Sequence, residues 1–299
     1  PKPTTTVVTS NRTPSANLGQ SITFTATVKP TTGASIPTGT VQFTIDGTNA
    51  GAAVTLGALP FNLFPGTATY RTSSLAAGSH DVVAQYTSNT GGFLPSTSAT
   101  LVQVVTMAAS TTVVTSSASP SVVGQSVTYT AQVTPVAATG TVTFTVDGTA
   151  VGGTKTLDAT GRATLPSNVY TATGPHTVVA TYGGSATYQG SSNTAFTQTV
   201  NKASTRSTVT SSRLTATRNT PVTFTATVTS TAPGSGTPQG TARFRIDGTL
   251  GAPVDLNAGG VATLTTSSLS VGSHTVAVVY AGNPSYLTST SGNIVQRIQ

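Results

Sequence analysis

Polar and apolar residues alternate with a period of two along almost the whole chain. Near the start, Ile22, Phe24, Ala26 and Val28 interleave with Ser21, Thr23, Thr25 and Thr27, and Val41, Phe43 and Ile45 interleave with Thr40, Gln42 and Thr44. Farther on, His80, Val82, Ala84 and Tyr86 occupy one phase. Successive side chains of an extended strand point to opposite faces, so each of these stretches predicts a β-strand with one buried face and one wet face. No segment of ten or more residues carries a helical 3.6 period. Gly, Pro, Asn and Asp punctuate the runs, as expected for turns between strands.

The pattern repeats. "GTVQFTIDGT" at Gly39 returns as "GTVTFTVDGT" at Gly140 and "GTARFRIDGT" at Gly240. "GQSITFTATV" at Gly19 matches "GQSVTYTAQV" at Gly124 and "NTPVTFTATV" at Asn219. "GSHDVVAQY" at Gly78 matches "GPHTVVATY" at Gly174 and "GSHTVAVVY" at Gly272. A spacing near one hundred residues is too long for a solenoid repeat and suits an independently folding domain. The expected division is therefore residues 1–106, 107–201 and 202–299. With about seven short strands per unit, the predicted fold is all-β: three tandem immunoglobulin-like sandwiches arranged as an elongated rod. The joins at 104–111 and 199–206 hold no Gly or Pro run, which predicts restricted hinges.

These motifs resemble a known family. The succession G-T-V-x-F-x-x-D-G, then G-x-A-T-L, then G-x-H-x-V-x-A-x-Y-x-G is similar to the bacterial Ig-like domain repeats of the group-3 type. The second unit fits best, with "GRATLPS" at Gly161 and "GPHTVVATYGGSATYQGSS" at Gly174. The first departs from the pattern through an insertion within "LGALPFNLFPGTATY" and through "YTSNTGGFLPS" in place of the Tyr-Gly sequence. The resemblance implies the sandwich fold and a place in secreted or surface-attached bacterial proteins as a stalk or extension module.

Composition narrows the chemistry. The chain of 299 residues has no cysteine, so thiolate sites and disulfides are excluded, and it has no glutamate. Charged residues make up 6% of it, Thr about a fifth, and no apolar run is long enough to span a membrane. The net charge of +7 is uneven: residues 202–299 carry seven cations against Asp247 and Asp255. Such scattered cations, without clustered Lys/Arg and aromatic partners, argue against nucleic-acid binding.

Candidate sites are few. The Asp-Gly pairs at Asp46, Asp147 and Asp247 end alternating strands, where Asp-Gly supplies a type I′ turn, and a lone carboxylate at such a turn, with no nearer acid in sequence than Asp158 and Asp255, cannot hold calcium strongly. His80, His176 and His274 recur at one position. In sequence only Asp81 adjoins a histidine, with Thr177 and Thr275 in its place elsewhere, so a structural histidine satisfied by backbone is expected. No G-x-S-x-G elbow accompanies them. Tyr86, Tyr182 and Tyr280 share the phase of the core, which predicts buried rings with the hydroxyl at the rim. A Thr ladder such as Thr223, Thr225, Thr227 and Thr229 reads as a solvated face, since sandwich sheets twist away from the flatness of an ice-binding array. The copies differ in charge at Arg243 and Arg245, with Arg213 and Arg218 nearby in sequence; these four form the candidate contact face. The sequence thus predicts a non-enzymatic extracellular stalk, spacer or adhesin segment at a bacterial cell surface, without cofactor or metal. A self-assembling filament subunit, joined as a homo-oligomer or head-to-tail polymer, and a glycan-binding accessory module are the alternatives. The expected partners are neighbouring domains or subunits and cell-surface glycans.

Overall fold

The computed structural model describes residues 1–57 and 66–299. By contacts the chain divides into two compact units, residues 1–109 with 185–189, and residues 110–184 with 190–299. Each is described by itself. The insertion expected before the fifth strand of the first repeat falls largely on residues 58–65, outside the described residues.

Every repeat builds two sheets, the smaller with three strands. In the first these are Thr4–Ser10, Ile22–Pro30 and Gly66–Thr72, all antiparallel. The larger sheet orders Ser15–Asn17, Leu101–Thr106, Gly78–Ser88, Gly39–Ile45 and Thr48–Asn49. The opening run is thus divided between the sheets: Thr4–Ser10 joins one, and Ser15–Asn17 pairs parallel with the closing strand of the other. The second repeat places Thr111–Ser116, Ser126–Thr134 and Arg162–Val169 in its small sheet, and Ser121–Val122, Phe196–Asn201, Gly174–Tyr182, Thr141–Val146 and Thr149–Thr156 in its large one. The third follows with Thr205–Ser211, Val222–Ser230 and Val261–Thr266, against Thr215–Ala216, Ile294–Ile298, Gly272–Tyr280, Thr241–Ile246 and Thr249–Asp255. The all-β fold of three immunoglobulin-like domains expected from the alternation is the one observed.

The alternation translates directly into burial. Phe24, Ala26, Val28, Val41, Phe43, Val82, Ala84 and Tyr86 are fully buried between the sheets of the first domain, and each large apolar side chain removed from water contributes roughly 1.5–3 kcal/mol. Tyr86, Tyr182 and Tyr280 are buried as predicted. Each hydroxyl donates at 2.7 Å to a loop carbonyl, of Thr38, Thr139 and Gln239 respectively.

A second recurrent core residue escaped the sequence reading. Gln103, Gln198 and Gln296 lie at one position of the closing strand and are buried to 1%, 0% and 0% exposure. Each amide oxygen accepts from a serine at the end of the opening strand, Ser10, Ser116 or Ser211. The Gln198 amide nitrogen donates to the Ala118 carbonyl at 2.9 Å and to Ser121 Oγ at 3.1 Å. The glutamine thereby bolts the place where the opening run leaves one sheet for the other. The signal was present: a polar residue on the apolar phase, three times over.

Candidate functional site

The three Asp-Gly pairs form the tight turns expected of them. Asp46, Asp147 and Asp247 have φ of 50°, 50° and 51°, and the following glycines 77°, 79° and 84°. Two consecutive positive φ values define the type I′ geometry that matches the twist of a hairpin. Aspartate tolerates the left-handed region better than most residues, and glycine enters it freely.

The carboxylates do more than turn the chain. Oδ2 of Asp46 lies 2.7 Å from Nδ1 of His80, that of Asp147 2.7 Å from His176, and that of Asp247 2.6 Å from His274. The other oxygen accepts the backbone N–H of the residue after the histidine, Asp81, Thr177 or Thr275. The expectation that the histidines have no recurrent side-chain partner is therefore overturned. The two markers that recur in every repeat are each other's partners, brought together because the Gly39–Ile45 strand and its equivalents pair with the strand that carries the histidine near its start.

The remaining ring nitrogen decides the chemistry. Nε2 of His80 faces the Ala76 carbonyl at 3.0 Å, and that of His274 faces the Ser270 carbonyl at 2.8 Å. Both nitrogens of these rings thus meet acceptors, so the doubly protonated imidazolium satisfies the site. The Asp46 and Asp247 carboxylates raise the histidine pKa values above 6.5, with help from those carbonyls. In return the histidines, and the backbone N–H groups, hold Asp46, Asp147 and Asp247 below 3.8. His176 differs: its Nε2 is buried without a partner, and its ring lies 4.3 Å from the Tyr170 ring, tilted by 32°. The Ser270 hydroxyl lies 3.5 Å from His274 Nε2, but the shorter contact of that nitrogen, 2.8 Å, is to the Ser270 carbonyl, so the Asp–His pair of the third domain is geometrically a clasp between two strands. Among the described residues no group of three potential metal ligands comes together.

Asp158, another isolated acid, has a local role. Its Oδ1 accepts from Thr160 N and Oγ1 and from Arg162 N at 2.7–3.0 Å, and Asn257 does the same work in the third domain toward Gly259 and Val261. An amide substitutes for the carboxylate, so the position requires an acceptor and not a charge.

The four arginines of the candidate contact face separate into two groups. Arg243 and Arg245 stand on the outward phase of the Thr241–Ile246 strand, Arg243 exposed and Arg245 half-buried. Arg213 and Arg218 flank the short strand Thr215–Ala216 at the far edge of the same sheet, with two strands between. Arg297, left out of the face when only sequence neighbours are considered, lies on the strand that pairs with that edge and is also exposed. No hydrogen bond or ion pair reaches the Arg243, Arg245 or Arg297 side chain among the described residues, where each ion pair is an Asp–His clasp.

Comparison with known proteins agrees with this architecture. The family described as bacterial Ig-like domain (group 3) matches residues 8–106, 114–201 and 209–299. No curated protein matches the sequence significantly. Among solved structures, a 1.5-MDa bacterial ice-binding adhesin is 17% identical over 100% of this chain and 98% of that one, with a TM-score of 0.38. The Escherichia coli adhesin FdeC is 16% identical over 98% and 96%, with a TM-score of 0.30. The I9–I11 tandem of titin is 11% identical over 98% and 99%, with a TM-score of 0.32.

Proposed function

The chain belongs to the bacterial Ig-like domain (group 3) family, and from that membership we propose that it is a non-enzymatic spacer or adhesin segment of a bacterial surface protein, working outside the cell. The observation that supports this reading is the junction between the second and third domains, both within one compact unit. A spacer transmits position only if its joints are fixed. Here Ala203 is fully buried and anchors the linker to the third domain through Ser285 and Leu287, and across the joint Thr173 Oγ1 donates to the Pro284 carbonyl at 3.3 Å and Ser285 Oγ to the Thr171 carbonyl at 3.4 Å. From the third domain, Ser235 Oγ donates to the Gly124 carbonyl of the second at 2.6 Å, while Tyr286 donates to the Ser235 carbonyl at 2.9 Å. A Cβ at Gly124 would stand 2.5 Å from Ser235 backbone and side-chain oxygens, so only glycine admits this approach.

The test is amide exchange of the intact chain beside its Gly124→Val variant. In the wild type the Ser235 amide, which donates to the Val123 carbonyl across the joint at 3.4 Å, is protected from exchange; in the variant it speeds up while the strand amides of both domains stay protected. Fast exchange at that amide in the wild type would remove the support. Sedimentation at high concentration gives the second arm: a monomer fits the spacer, whereas ordered fibres would replace it with a self-assembling subunit.

A further inference from the structure

We propose that the outer face of the larger sheet of the third domain binds an acidic polysaccharide, with Arg243, Arg245 and Arg297 contacting its carboxylates. The proposal takes its extracellular setting from the reading above and otherwise stands on this face alone.

The three arginines are not scattered. Arg243 is opposite Val279 and Arg245 opposite Ala277 on the Gly272–Tyr280 strand, while Arg297 on the next strand is opposite Ser273. At about 3.3 Å per residue along a strand and about 4.8 Å between strands, Arg243 and Arg245 stand about 7 Å apart. Arg297 lies about 16 Å beyond Arg245, diagonally across the sheet. The line ends beside Thr215–Ala216, where Arg213 and Arg218 extend it. Only Arg206 and Lys202 of this domain's cations lie off that sheet and its edge.

The second domain shows what the bare scaffold needs at the same positions. Arg243, Arg245 and Arg297 correspond to Thr143, Thr145 and Thr199, and Val279 corresponds to Thr181. Threonine suffices to build this face, so the guanidinium groups are not required by the fold. Nor do they find partners within it: Asp255, on the same face opposite Thr241, makes no ion pair with them. Several planar, permanently charged forks without an internal partner fit oxyanions brought by another molecule.

The floor selects among polyanions. Beside the arginines lie the exposed Pro253 and Leu250 and the half-buried Val279, with the exposed Val295 toward Arg297. These apolar side chains meet the C–H faces of sugar rings, which a polyphosphate lacks. No aromatic ring is present on it for stacking bases. A second copy of this chain is a poor occupant: it carries six acids against thirteen cations, and three of the acids are engaged by histidines.

The experiment measures binding of the 299-residue chain to polygalacturonate by surface plasmon resonance at several salt concentrations. Affinity should fall with added salt, and the variant Arg243→Thr/Arg245→Thr/Arg297→Thr should bind at least tenfold more weakly. The control variant Arg12→Thr/Lys29→Thr/Arg206→Thr loses the same charge elsewhere and should bind as the wild type does. Circular dichroism checks that both remain folded, as the threonines of the second domain predict. No binding by the wild type, an equal loss in the control, or tighter binding to polyphosphate than to polygalacturonate would each overturn the proposal. These outcomes leave the spacer reading intact, since it rests on the joint between the second and third domains.

Discussion

Replacing Gln198 by methionine keeps nearly the same volume and removes the amide, which isolates the bolt from simple packing. Four contacts disappear: the donation from Ser116 Oγ, and the donations to the Ala118 carbonyl, Ser121 Oγ and the Thr199 carbonyl. Ser116 keeps its own bond to the Ala118 carbonyl at 2.9 Å, so neither of those groups is orphaned. Ser121 is 1% exposed and loses the donor that reaches its hydroxyl. A buried hydroxyl left without a partner costs about 1–3 kcal/mol, and each lost bond about 1 kcal/mol net. Burial of a thioether instead of an amide offsets part of this, so the second domain should lose about 2 kcal/mol. The equivalent Gln296→Met variant should lose less, about 1 kcal/mol, because among the described residues the Gln296 amide nitrogen donates only to the Arg297 carbonyl at 3.2 Å. Amide exchange by mass spectrometry resolves the domains through peptides covering Ser126–Thr134 and Val222–Ser230. A loss of 2 kcal/mol appears as roughly thirty-fold faster exchange in the first peptide alone. A change below about threefold there, or an equal change for the Gln296 variant in its own domain, would refute the assignment of the bolt.

The tyrosines should also rank by their partners. Tyr86→Phe and Tyr182→Phe remove the donor from the Thr38 and Thr139 carbonyls and should cost about 1 kcal/mol each in urea unfolding, while Tyr280→Phe should cost less because Asn283 Nδ2 still donates to the Gln239 carbonyl at 3.0 Å. Asp247→Asn keeps a residue suited to positive φ, whereas Asp247→Ala adds the left-handed penalty, so thermal unfolding should find the alanine variant about 1–2 kcal/mol worse. The clasps predict a stability optimum on the acid side of neutrality. Raised His80 and His274 values stabilise fully below 6.5 and lose that contribution as pH rises through their folded values; lowered Asp46, Asp147 and Asp247 values stabilise above 3.8 and lose it as pH falls through theirs. Melting temperatures recorded from pH 3 to pH 9 should therefore peak between about 4 and 6.5, and His80→Gln/His274→Gln should remove the decline on the alkaline side.

Local rules were sufficient for the strands, the turns and the repeat. The two-residue period of Ile22–Val28 names the buried face because neighbouring side chains of an extended chain must diverge. Asp-Gly at Asp46 names the hairpin because few dipeptides accept two positive φ values. The buried tyrosines follow from their phase with Val82, Val178 and Val276. What the alternation could not carry is which strand lies beside which. His80 and Asp46 are 34 residues apart and meet because one strand pairs with another, so a partner sought among sequence neighbours was not found. Gln103 reaches Ser10 across 93 residues for the same reason. Arg243 and Arg245 stood out as differences between copies. Their continuation through Arg297, and the displacement of Arg213 and Arg218 to the far edge, depended on the order of strands in the sheet. A period of two assigns a side chain to a face, while long-range pairing decides its neighbours, and in a sandwich the neighbours make the clasp, the bolt and the charged face.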